Sequence, residues 1–193
     1  MVNAWYIDDS LREPLDESVK RSDRHLNPPE YLTLDELRRK TGVTIETVNV
    51  DKYDNDSDNN NIEEELAKHA SSKGYVYTDV LDIHAERLDN YSEKLRAFYT
   101  EHLHSDDEVR LVLVGSAYFD VRDIDNRWVR IHVRRGDQLN LLAGTYHRFT
   151  LDVDNYVKLF RLFGSKPDWS SFNRPADEHP ARVDYMSRAV KGF

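Results

Sequence analysis

Glu101-His102-Leu103-His104-Ser105-Asp106-Asp107-Glu108-Val109-Arg110 is the stretch that decides how the rest of this chain is read. Side chains alternate faces along a strand, so His102 and His104 project to the same side of an extended segment. From Glu108 the chain continues Val109, Arg110, Leu111, Val112, Leu113, Val114, which places Glu108, Arg110 and Val112 on one face and Val109, Leu111 and Leu113 on the other. A carboxylate and a guanidinium therefore point the same way. Downstream, His147 and Phe149 share a face within the strand-forming run Tyr146-His147-Arg148-Phe149-Thr150. Three imidazoles and one carboxylate, all on strands, form a candidate metal cage: His102, His104, Glu108 and His147.

The bounds of the chain fit such a cage. Its 193 residues can bury a core as a single domain, and a net charge of −9 argues against nucleic acid as the main partner. There are no cysteines, so neither disulfides nor thiolate ligands are available and a metal must take nitrogen and oxygen. Apolar runs are short and the N-terminus lacks a charged-then-apolar leader. A soluble, intracellular protein with no membrane insertion is expected. Asn55-Asp56-Ser57 and Asn90-Tyr91-Ser92 match the glycosylation pattern and are then incidental.

Working outward toward the N-terminus, residues 4–7 read as a short strand and residues 8–29 as a polar arm or loop without a period. Thr33 and Glu36 form a capping box for a helix over residues 34–40, stopped by Gly42, and residues 44–50 alternate as a strand. Asp54, Asp56, Asp58 and Glu65 occupy positions of a calcium loop, but Asn59 stands where the turn prefers Gly and no entering helix precedes it. The acidic run therefore reads as a solvated loop, with Asn60 or Asn61 capping a helix over residues 62–73 that Gly74 closes. Residues 75–77 read as extended, and Thr78 or Asp79 as the cap of a short helix carrying Ile83 and a structural His84. Tyr91, Leu95 and Phe98 form a buried helical stripe that delivers the chain to His102. His25, His69 and His179 carry no assigned role.

Toward the C-terminus the pattern is period two. Strands are expected over residues 108–114, ending at Gly115-Ser116, then over 117–122 and 128–134, with Val129, Ile131 and Val133 inward and Trp128, Arg130, His132 and Arg134 on a solvated face. Residues 146–151 form another strand, and after a turn at 152–155 residues 156–163 close a further hairpin. Regularly spaced short strands imply a sandwich or barrel, with full closure expected.

The spacing of His102, His104, Glu108 and Gly115, followed by Gly136, Gly144 and His147, resembles the two halves of the cupin motif. Arg96 stands where the first half begins with Gly, and Leu142 replaces the Pro of the second, giving up a preset turn angle while His147 keeps its register. Within cupins the chain resembles the acireductone dioxygenases, and the animal members more than the bacterial ones. The likeness is carried by Ala4-Trp5-Tyr6-Ile7-Asp8-Asp9, Phe98-Tyr99, Glu101-His102-Leu103-His104, Gly115-Ser116-Ala117-Tyr118-Phe119-Asp120-Val121-Arg122-Asp123, Ala143-Gly144-Thr145-Tyr146-His147-Arg148-Phe149-Thr150, Arg161-Leu162-Phe163 and Asn173-Arg174-Pro175-Ala176-Asp177. Residues 10–29 are the most variable part, and Ala117 replaces a common family Gly.

The resemblance implies a mainly β fold with flanking helices (α+β), a cupin jelly-roll β-barrel. Residues 1–193 form one domain, with a helical and arm region over about 1–100 and the metal-site core over about 101–165. It implies one Fe2+ per chain, or Ni2+ or Co2+, on His102, His104, Glu108 and His147. A six-coordinate ion on four protein ligands keeps two positions for a bidentate oxygen substrate. That substrate is the acireductone of methionine salvage, 1,2-dihydroxy-5-(methylthio)pent-1-en-3-one, which reacts with O2. The iron form yields formate and 4-methylthio-2-oxobutanoate; the nickel or cobalt form yields 3-methylthiopropanoate, formate and carbon monoxide. Arg110 would stabilise the substrate's negative charge, unless it is a structural partner of Glu108 or Asp107, and Phe98, Val112 and Phe149 would wall the substrate. The resemblance also implies a monomer, cytoplasmic and nuclear locations, and binding to the cytoplasmic tail of a membrane metalloproteinase. Two other functions remain open: a cupin with different chemistry, such as an isomerase or another oxygenase, and an interaction protein whose cage is structural.

Overall fold

The computed structural model describes residues 2–10, 15–53, 62–167 and 169–193. In chain order the elements are β1 Asn3–Tyr6, α1 Glu17–Lys20, β2 Tyr31–Leu32, α2 Leu34–Thr41, β3 Thr44–Thr47, a 3₁₀ turn at Val50–Tyr53, α3 Ile62–Ser72, β4 Tyr77–Ile83, α4 Tyr91–Tyr99, β5 His102–Leu103, β6 Glu108–Arg122, β7 Trp128–Arg134, β8 Asp137–Leu141, β9 His147–Leu151, β10 Val157–Phe163, β11 Phe172–Asn173 and α5 Pro180–Lys191. The acidic run 54–61, on which the calcium-loop pattern falls, lies outside the described residues.

Two sheets share β6. One runs β2-β1-β7-β6-β9-β5-β11; the other places β10 and β8 on either side of β6, with β4 beyond β10 and β3 beyond β8. This is the mainly β jelly-roll architecture with flanking helices, but the ladder of strands does not close into a ring among the described residues. Its edges end instead on short strands such as β2 and β11, which limit the exposed edge.

The sharing of β6 corrects the expectation of two strands separated by Gly115-Ser116. The chain runs unbroken for 15 residues, pairing with β8 and β10 before the bend and with β7 and β9 after it. Gly115 makes the bend with φ +73°, and a Cβ there would sit 2.1 Å from the Tyr156 carbonyl oxygen. The turn at residues 152–155, with Asn155 at positive φ, accordingly carries the chain from one sheet to the other and closes no hairpin.

β6 also shows why period two was the right guide to packing. Val112, from the Glu108 face, belongs to the core between the sheets with Phe119, Val129, Ile131, Val133 and Leu151. Val109, Leu111 and Leu113 turn outward into a second cluster with Phe160, Leu162 and the α3 residues Leu66 and Ala70.

Three other expectations change. The extended backbone expected to stop at residue 77 runs on to residue 83, where a capped helix was expected: Tyr77, Thr78, Val80 and Ile83 favour it, and β4 covers the free edge of β10 over seven consecutive residue pairs. The strand expected over residues 44–50 ends at Thr47 and gives way to the 3₁₀ turn. The Trp128/Arg130 face is not solvated, because the arm folds over it. Arg130 is fully buried, donating from NH1 to the carbonyls of Lys20 (3.0 Å) and Ser22, while Trp5 donates to the Asp23 carbonyl at 2.7 Å. Within this arm α1 forms a single helical turn. Arg134 alone of that face is exposed. The capping box on α2 is complete, and Gly42 ends that helix at φ +70°.

Candidate metal centre

The cage is assembled from three strands. β5 supplies His102, and His104 follows it at once; β6 opens with Glu108; β9 opens with His147, directly opposite His102 in the ladder. Two backbone contacts tie the intervening loop to the turn before β9: the Gly144 N–H donates to the His104 carbonyl at 3.0 Å, and the Ala143 N–H donates to Asp107 Oδ1 at 2.8 Å. Gly144 is needed there, with φ +79° and the Ala181 carbonyl oxygen 2.2 Å from where a Cβ would stand. Leu142 opens this turn, its carbonyl accepting from the Thr145 N–H at 3.1 Å.

One ligand atom from each of His102, His104, Glu108 and His147 lies within 4.8 Å of the others. The imidazole centroids are between 4.5 and 5.6 Å apart. Each ring is oriented from behind, Nδ1 of His102, His104 and His147 lying 2.6, 2.6 and 2.8 Å from the carbonyls of Thr100, Ser170 and Thr145. A carbonyl can only accept, so Nδ1 carries the hydrogen and the lone pair of a neutral ring resides on Nε2. Those Nε2 atoms face inward. His104 Nε2 and His147 Nε2 lie 2.8 and 3.3 Å from Glu108 Oε1, distances at which a proton or a metal ion shared with the carboxylate relieves the repulsion of their lone pairs. This is the usual way a protein presents histidines to a metal, and the donor set of nitrogen and oxygen suits a first-row divalent ion.

Charge at the site follows from burial and neighbours. Burial alone would raise Glu108, but Arg110, whose NH2 lies 2.9 Å from Oε2, and His147 hold its carboxyl well below the usual range. His102 is pushed down to about 4, first by burial and then by His147, which keeps it neutral. For His104 burial is overridden by the hydrogen bond and charge of Glu108, and its pKa is raised. Behind the cage, Glu101 is clamped by Arg122 (3.0 and 3.2 Å) and Arg174 (2.8 Å), which outweigh burial and lower its pKa.

The cage opens into a cavity of about 250 Å3 whose lining includes Phe98, Arg110, Phe119, Phe149, Arg161 and Trp169. Phe98 and Phe149 meet edge to face, with centroids 5.9 Å apart. Of the residues singled out from the sequence, the structure brings Phe98, Arg110 and Phe149 to the cavity with the four cage residues. Val112 is 1 % exposed in the core between the sheets and does not line it. Arg110 is both an ion-pair partner of Glu108 and a cavity residue, so the two alternatives for it coexist. His84 accepts from the Glu86 N–H, and His179 caps α5; both are structural in this setting. Arg161, Trp169 and the Ser170 carbonyl were missed from sequence, Arg161 because its strand's partners were not identified.

Among the described residues no helix is long and apolar enough to cross a membrane. The sequence matches the ARD/ARD' family over residues 4–171. It is 47 % identical over its full length to an acireductone dioxygenase of Ixodes scapularis, covering 99 % of that protein. It is 46 % identical to acireductone dioxygenase 4 of Arabidopsis thaliana, covering 96 % of this chain and 91 % of that one, and 46 % identical to the Xenopus tropicalis enzyme of the same name over 96 % of each. A solved structure of acireductone dioxygenase from Bacillus anthracis, with a cadmium ion in its active centre, superposes with a TM-score of 0.62 at 24 % identity, covering 88 % of this chain and 97 % of that one, and so shares the fold. On these matches the chain belongs to the acireductone dioxygenase family.

Proposed function

We propose that this chain is an acireductone dioxygenase of methionine salvage that holds one divalent ion, iron or alternatively nickel or cobalt, on His102, His104, Glu108 and His147. The observation that carries this reading is the inward-facing, backbone-oriented set of three Nε2 atoms around one buried carboxylate. The relatives named acireductone dioxygenase support the substrate. Held by these four residues, the ion would supply Lewis acidity toward the paired oxygens of the enediol.

The remaining work falls to the chain's own side chains. Arg110, buried beside the cage, offers its guanidinium to the ionised oxygens of the substrate. Phe98 and Phe149 keep water from one wall and pack against the apolar part of the substrate. With iron the products are formate and 4-methylthio-2-oxobutanoate; with nickel or cobalt they are 3-methylthiopropanoate, formate and carbon monoxide. The whole chain, residues 1–193, acts as one cupin domain and as a monomer, in the cytoplasm and nucleus. The test is product analysis on metal-stripped protein reloaded anaerobically with iron or nickel and given the acireductone and O2. Carbon monoxide only from the nickel form supports the reading, and identical products from both forms refute the metal-dependent outcome.

A further inference from the structure

Strand pairing in the second sheet sets three charged residues in a row. Arg161 on β10 lies directly opposite Asp79 on β4 and directly opposite Arg110 on β6, so all three side chains leave the same face. Arg110 and Arg161 both line the cavity that contains the cage. Like charges directly opposite on neighbouring strands destabilise a sheet, and this pair is largely withdrawn from water.

Neither neighbouring acid relieves the juxtaposition from between the two. Asp79 takes the Nε and NH2 edge of Arg161, at 2.6 Å each, from the strand away from Arg110. Glu108 takes NH2 of Arg110 from two residues back on its own strand. The Phe163 ring is what the two cations share, their guanidinium carbons lying 5.2 and 5.9 Å from its centroid.

The Asp79–Arg161 pair, bidentate and 24 and 18 % exposed, ties β4 to β10, but its geometry also serves a second purpose. As an anion-binding device it is well made. The bidentate carboxylate fixes the plane of Arg161, and the Trp169 ring supports it from 4.3 Å, so little side-chain freedom remains to be lost on binding. We propose that Arg161 is a second substrate-binding cation, forming with Arg110 a two-guanidinium clamp for the ionised oxygens of a small dianionic substrate, and that Asp79 is the positioning residue that aims it. The identity of that dianion as the ionised acireductone rests on the function proposed above; the clamp itself does not.

The experiment compares wild type, Arg161→Gln, Arg161→Lys and Asp79→Asn, each loaded with one metal per chain. Affinity for oxalate, a dianionic probe that is not turned over, is measured by titration calorimetry, and KM and kcat for the acireductone by oxygen uptake. Arg161→Gln is expected to weaken oxalate and raise KM about tenfold to a hundredfold, the loss typical of a charge-assisted contact, with kcat changed less. Arg161→Lys recovers part of this, and Asp79→Asn gives a smaller rise because the cation remains but is less firmly aimed. Unchanged oxalate affinity in Arg161→Gln overturns the clamp, as does a lowered melting temperature with wild-type KM, the signature of a mere staple. Wild type that binds oxalate through Arg161 but consumes no oxygen with the acireductone leaves the clamp standing and overturns the proposed reaction instead.

Discussion

Asp120→Asn removes the negative charge that holds the strand carrying His147 to its neighbours. Asp120 is fully buried and accepts from Arg130 Nε and NH2 at 2.7 and 2.9 Å and from Arg148 Nε at 3.0 Å. Arg148 follows His147 on β9, and its guanidinium also lies 4.2 Å from the ring of Tyr99, the last residue of α4. Asparagine keeps the shape but replaces one acceptor oxygen with an N–H2 group facing guanidinium donors. Among the described residues Arg130, fully buried, retains only carbonyl acceptors, and the one buried negative charge that it shares with Arg148 is gone. Breaking a buried pair in this way costs about 3–5 kcal/mol. For a chain of this size that lowers the melting temperature by roughly 6–20 °C.

The pH dependence gives the same prediction a sign. Burial would raise Asp120, but Arg130 and Arg148 prevail and lower it. A carboxyl depressed on folding contributes stability that is present above its unfolded value of about 3.9 and is lost as pH falls through the lower folded value. The deficit of Asp120→Asn relative to wild type is therefore constant from neutrality to about pH 4 and shrinks below it. Urea unfolding of the two metal-loaded proteins at a series of pH values measures this. A loss under about 1 kcal/mol at pH 7, or a deficit that grows toward acid, would refute the reasoning.

Gly115→Ala forces a positive φ on a residue with a Cβ and drives that carbon toward the Tyr156 carbonyl, so a loss of at least about 2 kcal/mol is expected in the same unfolding assay. His102→Ala and His147→Ala should each bind substoichiometric metal, measured by elemental analysis after dialysis, and lose activity. Arg110→Ala should keep its metal but turn over about a hundredfold more slowly, and normal turnover would exclude its charge-stabilising role. Removing the metal by chelation should lower the melting temperature, and readdition should restore it, because the ion binds the folded cage alone.

What could be read from the sequence depended on how local the signal was. The capping box of Thr33 and Glu36 declares itself within four residues, and the parity of β6 divides Val112 from Leu111 correctly in the structure. The spacing of His102, His104, Glu108 and His147 brought together the four residues that converge. Partners remote in sequence were not legible. The stretch after Thr78 looked like a capped helix because its extended form is stabilised by β10, some eighty positions away. Arg130 looked solvated because the arm covering it has no period of its own, and Arg161 could not be set beside Arg110 until strand order was known. Val112 shares a face with Arg110, yet the same parity that aims one at the cavity buries the other deeper in the core.

The most direct test of the account is oxygen uptake with formate release on the acireductone, measured in parallel for metal-stripped protein, protein reloaded with one iron per chain, and reloaded His147→Ala. The account predicts uptake and formate in the reloaded wild type alone. Reloaded wild type that holds its metal yet consumes no oxygen would contradict it.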